Sequence, residues 1–390
     1  MTRVETIQDD EGFTRLRPEW EELLAASPSD TVFLTWEWLH TWWAHFAGRR
    51  RLLILAVREG KDLVALAPLA LRPPQSSRLS FAWRGEFLGT GTAGSDYLDV
   101  IARAGEEERA LDALGESLER AGAALDLAQT RRGASLADRL AERLRARGWW
   151  LRQSATNACP FIPLVGHSWS SYLASLGASH RANLNRRLRA LARTCDVRFD
   201  MARTEAERKE FLGRLVSLHN ARRRTLDGSE AFDTPERIAF HDRFSALALQ
   251  RGWLRLLLLR LNGWPVASLY GLRHRGVFSF YQSGFDPAYA RQSVGLVTMG
   301  WSIRQAIDEG ASEFDFLHGE ESYKSLWTRN RRALGRLEIY PPRAVGAIAR
   351  RMDDAGRGAR RLARALLPEG AADRIARGLQ AATEGTPDAS

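Results

Sequence analysis

Three consecutive strand-like runs constrain the fold of this chain more than any other feature of its sequence. Between Trp253 and Phe285 the runs are WLRLLLLRL, PVASLYGLRH and GVFSFYQSGF, separated only by the short turns NGWP and HRGV. Strands joined by such tight turns pair antiparallel with their sequence neighbours, because a parallel pair needs a long crossover. The sequence therefore predicts an antiparallel meander in the C-terminal half of the chain.

A helix and two further strands are predicted after this meander. Gln292-Ser293-Val294-Gly295 leads into a helical pattern that reaches Glu309, and the strand-like SEFDFL, the turn-rich HGEESYKSLW and the strand-like LGRLEIY follow. A helix start preceded by small residues presents free backbone N–H groups and the positive end of the helix dipole. Such a start suits a pyrophosphate, and the alternative is an ordinary strand-to-helix joint that binds nothing.

The N-terminal half predicts helices followed by a sheet. FTRLRPEWEELL and TWEWLHTWWAHF carry apolar residues at helical spacing, and the second begins at the capping residue Thr35. Strand patterns follow at RLLILAV, DLVALAPLAL, RLSFAWRGEFLG and DYLDVIA, and further helices are predicted near 106–121 and 136–147. This mixture predicts an α/β (α+β) fold, with a mixed and mainly antiparallel sheet flanked by helices.

Length favours two domains. A chain of 390 residues with 44% hydrophobic residues is large enough for two cores. We predict an N-terminal domain at 1–155, a C-terminal domain at 156–340 and an Arg/Ala-rich helical tail with a disordered end at 341–390.

The same sequence favours a cytoplasmic protein. No apolar run reaches the roughly 18 residues of a membrane span, and MTRVETIQDD lacks the basic and apolar start of a secretory signal. Cys159 and Cys195 are the two cysteines of the chain, which fits a reducing compartment.

Positive charge is concentrated in two segments. The net charge is +10; His180–Arg193 carries five Arg and no acid, and Arg343–Leu367 carries seven Arg and two Asp. Such a charge fits an anionic partner, whether a small-molecule substrate, a nucleic acid or a membrane surface. A solvated helix face is the alternative interpretation of either segment.

The sequence lacks the motifs that would predict a dinucleotide site, a metal site or a hydrolase nucleophile. GTGTAG, Gly89–Gly94, matches G-x-G-x-x-G but leads into a strand-like stretch instead of a helix, so a turn is predicted there and not a dinucleotide site. No H-E-x-x-H pair or His/Cys cluster predicts a metal site, and no G-x-S-x-G predicts a hydrolase nucleophile.

The order of these elements resembles the Gcn5-related N-acetyltransferase (GNAT) fold. FLTWEWLHTWWAHF, SDYLDVI, SHRANLNRRLRAL, GFDPAYARQSVGLV and GASEFDFLHGEESYKSLW look like the bacterial GNAT-like group that includes the cellulose-biosynthesis CelD-type proteins. That group is similar to the FemABX peptidyltransferases, which are built from two GNAT-like domains. The resemblance spans about residues 11–340, and it implies two GNAT-like domains in tandem, the first of them degenerate.

The resemblance also implies site residues. The loop of Gln292, Ser293, Val294, Gly295, Leu296 and Val297 would hold the pyrophosphate of acetyl-CoA or another acyl-CoA. The Y-K-x-x-aromatic motif places Tyr323 and Lys324 at the acyl-transfer site, together with Asp315 as a proton relay for which Glu320 and Glu321 are alternatives. Residues expected to bind substrate are Asp96, Tyr97, Asp99, Arg186, Tyr281 and Trp327. We interpret His318 as a turn residue.

The expected function is acyl transfer from acyl-CoA to an amine or hydroxyl of an anionic precursor, such as a nucleotide-linked sugar of envelope or exopolysaccharide synthesis. A FemABX-type transferase that uses aminoacyl-tRNA is one alternative. Another is a non-catalytic accessory protein of polysaccharide biosynthesis, whose basic tail contacts a membrane surface or a protein.

Overall fold

One path of hydrogen-bonded strands runs through the chain in this computed structural model, which describes residues 2–74, 83–223, 232–319 and 321–366. The elements up to the middle of the chain are β1 (Thr2–Ile7), α1 (Asp10–Arg15), α2 (Arg17–Ala25), α3 (Trp36–Phe46), β2 (Arg51–Glu59), β3 (Asp62–Arg72), β4 (Arg84–Phe87), β5 (Ile101–Ala102), α4 (Glu107–Ala121), β6 (Ala124–Arg131), α5 (Leu136–Ala146) and β7 (Trp150–Pro163).

The elements after β7 form the second part of the sheet and its covering helices. They are α6 (Trp169–Ser175), α7 (Ala178–Thr194), β8 (Val197–Met201), α8 (Glu205–Arg223), α9 (Pro235–Gln250), β9 (Leu254–Leu261), β10 (Trp264–His274), β11 (Val277–Phe285), α10 (Val294–Asp308), β12 (Glu313–Asp315), β13 (Arg331–Tyr340) and α11 (Ala344–Leu366).

The strands lie in the order β1-β2-β3-β4-β6-β13-β7-β12-β11-β10-β9-β8, and β5 pairs with β3. All pairs are antiparallel except β4 with β6 and β11 with β12. Helices cover this sheet, so the predicted class, a mixed and mainly antiparallel sheet flanked by helices, is confirmed. The predicted meander is confirmed as well, since β9, β10 and β11 pair consecutively and antiparallel.

Local signals fix most of the helix boundaries. The Oγ1 atom of Thr35 accepts a hydrogen bond from the Trp38 N–H at 3.3 Å, and Trp38 and Trp42 of α3 are fully buried. The predicted helix at FTRLRPEWEELL is divided in two at Leu16, because Pro18 opens α2.

One predicted strand is mostly irregular. Within DYLDVIA only Ile101–Ala102 forms a strand. Tyr97 has a φ of 56°, which lies outside the extended region of a regular strand, and the side chain of Asp99 binds backbone N–H groups instead of facing a neighbouring strand.

The last strand, β13, pairs with strands of the N-terminal half. β13 pairs with β6 through Leu334↔Arg131 and with β7 through Arg331↔Pro160, so it inserts between two strands of the N-terminal half. The strand β7 itself runs across the predicted boundary at 155/156. The predicted domain limits stay a prediction.

Candidate active site

The strands β11 and β12 separate after three residue pairs. Val277–Ser279 pairs in parallel with Glu313–Asp315, and beyond Ser279 the edge of β11 has no partner strand among the described residues. The register of β11 on β10 also shifts at Tyr281, where Gly271 pairs with Phe280 and Tyr270 with Gln282. A bulged strand next to a splayed edge leaves backbone groups available to a ligand.

The predicted anion-binding loop opens α10 directly after this edge. Gln292 ends a 3-10 turn and is exposed, and Ser293 takes the left-handed conformation with a φ of 58° and does not cap the helix with its side chain. The first helical bond runs from the Val297 N–H to the Ser293 carbonyl. The N–H groups of Val294, Gly295 and Leu296 therefore point out of the helix end, as binding of an anion there requires.

A buried carboxylate and a histidine meet at the end of β12. His318 Nδ1 lies 2.8 Å from Asp96 Oδ1, and the His318 backbone N–H donates to Asp96 Oδ2 at 2.8 Å. Asp96 is fully buried, whereas 37% of the His318 side chain is exposed. The hydrogen bond to Asp96 raises the pKa of His318 above its usual value, although burial opposes that shift.

Two further donors hold Asp96 in place. Gln129 Nε2 donates to Oδ1 at 3.0 Å, and Cys159 Sγ lies 3.8 Å from Oδ2. Burial raises the pKa of the Cys159 thiol far above its usual value, so the thiol stays protonated and can donate. Each oxygen of Asp96 thus accepts from two groups, which fixes its orientation toward His318.

Backbone strain is concentrated around this pair. Tyr97, Gln129 and Leu317 have φ angles of 56°, 60° and 54°, the left-handed region that non-glycine residues rarely adopt. Each such residue costs about 1–3 kcal/mol, and the surrounding contacts must compensate that cost. Strain of this kind is typical of functional sites.

Asp315 forms a second buried carboxylate beside the first. Its Oδ2 accepts from the Tyr97 hydroxyl at 2.6 Å and lies 3.2 Å from Arg332 Nη1, and its Oδ1 accepts from the Leu317 N–H at 2.7 Å. Burial raises the pKa of Asp315 to about 7, while the bond from Tyr97 lowers it. Asp315 is 1% exposed, and its partners Tyr97 and Arg332, both partly exposed, lie between it and the surface.

Lys324 closes the turn that carries His318. Its ammonium donates to the carbonyls of Phe316 at 3.2 Å and His318 at 3.0 Å, and it lies 2.9 Å from Glu321 Oε2. The residue is 2% exposed. In this arrangement Lys324 holds the turn and so positions His318. Glu320 lies outside the described residues.

Tyr281 connects the two halves of the chain. Its hydroxyl donates to the Ala93 carbonyl, in the glycine-rich turn predicted from GTGTAG, and lies 3.4 Å from His241 Nε2. Burial raises the pKa of Tyr281 and lowers that of His241 to about 3, so both are neutral. A Cβ atom on Gly94 would lie within 4 Å of both His318 and Tyr281, which places this turn against the pair.

Other predicted site residues have contacts elsewhere. Asp99 accepts from the N–H groups of Leu136 at 2.9 Å and Ala137 at 2.7 Å, which caps α5. Burial raises the pKa of Asp99 to about 6. The contacts with α5 are a sufficient structural reason for a buried carboxylate at this position. A role of Asp99 in substrate binding stays a prediction.

Trp327, Tyr323 and Arg186 have contacts of other kinds. The Trp327 ring is 2% exposed and packs edge-on against His180 in the C-terminal core, where the half-buried Tyr323 also packs. Arg186 is exposed on α7 and bonds Asn183 at 2.8 Å. Their predicted roles in catalysis and substrate binding also stay predictions.

The structure therefore brings Asp96, Tyr97, Tyr281, Asp315 and Lys324 together, and it adds His318, which sequence reasoning set aside. The position of His318 after the strand FDFL was visible in the sequence, but its partner Asp96 is 222 residues away. Among the described residues no group of three His, Cys, Asp or Glu side chains is arranged to hold a metal ion.

Comparison with known proteins supports the resemblance. The family described as Acetyltransferase (GNAT) domain matches residues 178–325. None of the curated proteins matches this sequence.

Three solved structures share the fold at low sequence identity. FemX has 10% identity and a TM-score of 0.60, over 85% of this chain and 96% of that chain. A conserved protein of unknown function from Bacteroides thetaiotaomicron has 13% identity and a TM-score of 0.52, over 87% and 100%. L-PGS from Bacillus licheniformis has 13% identity and a TM-score of 0.50, over 87% and 95%. The domain match and the shared fold confirm that this chain resembles the GNAT-like acyltransferases related to FemABX.

Proposed function

We propose that this chain transfers an acyl group from acyl-CoA to an amine or hydroxyl, with His318 as the general base. The observation that carries the proposal is the 2.8 Å contact between His318 Nδ1 and the buried Asp96. A neutral histidine that donates from Nδ1 to a carboxylate has an unprotonated Nε2. Because the His318 side chain is partly exposed, this nitrogen is the atom that can take a proton from an acceptor.

The acceptor, the thioester and His318 account for every bond and proton of the proposed reaction. The amine or hydroxyl attacks the thioester carbonyl, a C–N or C–O bond forms, and His318 Nε2 takes the proton. The C–S bond then breaks, and CoA leaves as a thiolate that is protonated from His318 or from water. Asp96 stabilises the imidazolium in between, and Lys324 positions the turn by binding the Phe316 and His318 carbonyls.

The start of α10 is the proposed binding site for the CoA pyrophosphate. The outward N–H groups of residues 294–296 supply donors and the positive helix end, and Arg187 reaches the same loop by donating to the Arg291 carbonyl at 2.9 Å. The unpaired edge of β11 supports this assignment, because the amides of pantetheine can extend a strand edge as a peptide does.

The proposed acceptor belongs to an anionic precursor, such as a nucleotide-linked sugar of envelope or polysaccharide synthesis, and we place the reaction in the cytoplasm. The exposed arginines of α7 support an anionic acceptor, because none of them pairs with a carboxylate of a described residue. No helix within the described ranges is long and apolar enough to cross a bilayer.

Substitution of Gly295 by Asp tests the donor. A Cβ atom at Gly295 would meet only the Phe285 ring, at 3.4 Å, so the side chain fits. A carboxylate at a helix start stabilises the helix by about 0.3–1 kcal/mol, yet it repels a pyrophosphate. We expect millimolar CoA to raise the Tm of the wild type and of the isosteric control Gly295→Asn, and not that of Gly295→Asp. If millimolar CoA does not raise the Tm of the wild type, the assignment of acyl-CoA as the donor is contradicted.

Substitution of His318 by Gln tests the base. General-base catalysis contributes about 10²–10⁴-fold to a rate, so kcat with a small amine acceptor should fall by that factor while the shift with CoA is retained. An unchanged kcat would exclude His318 as the base.

Transfer from aminoacyl-tRNA is the second candidate. The arginines of α7, none of which pairs with a carboxylate of a described residue, favour it together with the FemX-like fold. Binding of tRNA should then weaken steeply with salt, and the variant Arg186→Ala, Arg187→Ala, Arg189→Ala should lose that dependence. A Tm shift with CoA and no binding of tRNA would decide for acyl-CoA.

A further inference from the structure

The glycine-rich turn Gly89–Gly94 ends beside the imidazole of His318. A Cβ atom on Gly94 would lie 3.8 Å from His318 Cε1 and 3.9 Å from the hydroxyl oxygen of Tyr281. The Cε1 atom is bonded to Nε2, the nitrogen that stays unprotonated when Nδ1 donates to Asp96. Gly94 therefore borders the space in front of the nitrogen that can take a proton.

Solvent reaches the residues that border this space. Gly94, Tyr281 and His318 are all partly exposed, and 37% of the His318 side chain is exposed. The side of the imidazole that carries Nδ1 is closed by Asp96, which is fully buried. A molecule from solvent can therefore approach His318 next to Gly94, and the size of the residue at 94 affects the room that it finds there.

Hydrogen bonds hold the turn at both of its ends. The buried Trp38 donates from Nε1 to Ser95 Oγ at 2.8 Å, and Ser95 Oγ donates to the Gly89 carbonyl at 2.8 Å. The hydroxyl of Tyr281 donates to the Ala93 carbonyl. The turn cannot move back to admit a larger group without breaking these bonds, so the width of the space is set by the side chains around it.

Backbone conformation is a separate reason for a glycine at position 94. Its φ is 62°, in the left-handed region that other residues rarely adopt. Gly91 of the same turn has a φ of 88°, but a Cβ atom there would have nothing within 4 Å. The two glycines share the conformational requirement and differ in what a side chain would touch, so Gly91 is the matched control for Gly94.

We propose that Gly94 determines the acceptor specificity of the His318 site, because the missing side chain leaves room for an acceptor that is branched at the carbon bearing its amine or hydroxyl. Groups attached directly to a sugar ring are branched in this way. The inference rests on the proposed function, in which the acceptor gives its proton to His318 Nε2. A methyl group at 94 would narrow the space beside this nitrogen and so reject a branched acceptor more strongly than an unbranched one.

Two acceptor amines of different shape test the proposal. Cyclohexylamine and n-hexylamine carry the same number of carbons, and only the first is branched next to its nitrogen. Gly94→Ala should lower the ratio of kcat/KM for cyclohexylamine to that for n-hexylamine by about tenfold or more, and Gly91→Ala should leave this ratio at the wild-type value. A ratio that is the same in all three proteins, or that falls equally in both variants, overturns the proposal.

Modification of His318 by diethyl pyrocarbonate separates this inference from the proposed function. The reagent acylates an accessible, unprotonated imidazole whether or not the protein is an enzyme, and mass spectrometry compares the rate at His318 with that at the partly exposed His167. On the alkaline plateau of the rate, Gly94→Ala should slow modification of His318 several-fold, whereas Gly91→Ala should not.

The two measurements distinguish the possible failures. Slower modification of Gly94→Ala, with no acyl transfer by the wild type, would contradict the proposed function and acceptor selection with it. Transfer by the wild type, with an unchanged ratio and unchanged modification in Gly94→Ala, would overturn only the role of Gly94. If circular dichroism shows that Gly94→Ala is unfolded, Gly94→Asn and its control Gly91→Asn replace the alanine pair, because asparagine tolerates the left-handed conformation better.

Discussion

Replacement of Asp96 by Asn should destabilise the fold in a manner that depends on pH. Asp96 is fully buried and accepts from His318 Nδ1, from the His318 N–H, from Gln129 and from Cys159. An asparagine keeps one acceptor oxygen, so its NH₂ group faces two donors. A buried donor left without an acceptor costs about 1–3 kcal/mol. The lost ion pair adds about 1 kcal/mol, discounted because 37% of the His318 side chain is exposed.

The sign of the pH dependence follows from His318. Its pKa in the folded protein is raised above 6.5 by the bond to Asp96. The pair therefore stabilises the fold fully below the pKa of the unfolded chain, and this contribution is lost as pH rises through the folded pKa. The difference in unfolding free energy between wild type and Asp96→Asn should be about 2–4 kcal/mol at pH 6 and about 1 kcal/mol smaller at pH 9.

Urea unfolding followed by tryptophan fluorescence at both pH values measures this difference. His318→Gln serves as the control, since it removes the titrating group. The difference in stability between His318→Gln and the double variant His318→Gln, Asp96→Asn should be the same at pH 6 and pH 9. The difference in unfolding free energy between wild type and Asp96→Asn could be equal at the two pH values, or stay below about 1 kcal/mol at pH 6. Either result would refute an ion pair between Asp96 and His318.

Two further substitutions test the framework of the site. Gly284→Ala should lower stability by about 2–3 kcal/mol, because its Cβ atom would overlap the backbone of Leu218 and His219 in α8. Gly213→Ala, exposed on α8 with open space around it, should instead raise stability by up to about 1 kcal/mol. Thermal unfolding in the opposite order would contradict this packing. Lys324→Met should leave the carbonyls of Phe316 and His318 unpaired and cost about 2–4 kcal/mol. It should also lower kcat without changing the Tm shift with CoA, and an unchanged kcat would exclude a positioning role.

The sequence was sufficient for the parts of the site that are local in the chain. The proposed anion-binding loop rests on Gln292-Ser293-Val294-Gly295 at a helix start, and α10 begins at Val294 as this pattern predicts. Burial of Asp315 also fits its place in the strand-like FDFL. The contact between His318 and Asp96 was missed because a histidine in a polar turn looks the same in the sequence whether it faces water or a carboxylate.

Periodicity and capping by themselves determined the elements: the meander of β9 to β11, the start of α3 at Thr35, and the amphipathic pattern of α11. Only the tertiary structure decided which elements meet. β13 pairs with β6 and β7 of the other half, Asp96 reaches His318 across 222 residues, and α11 turns its charged side inward. The physical reason is that a repeat of 2 or 3.6 residues specifies which side chains share a face, whereas the partner of that face depends on hydrogen bonds and charges contributed by distant parts of the chain.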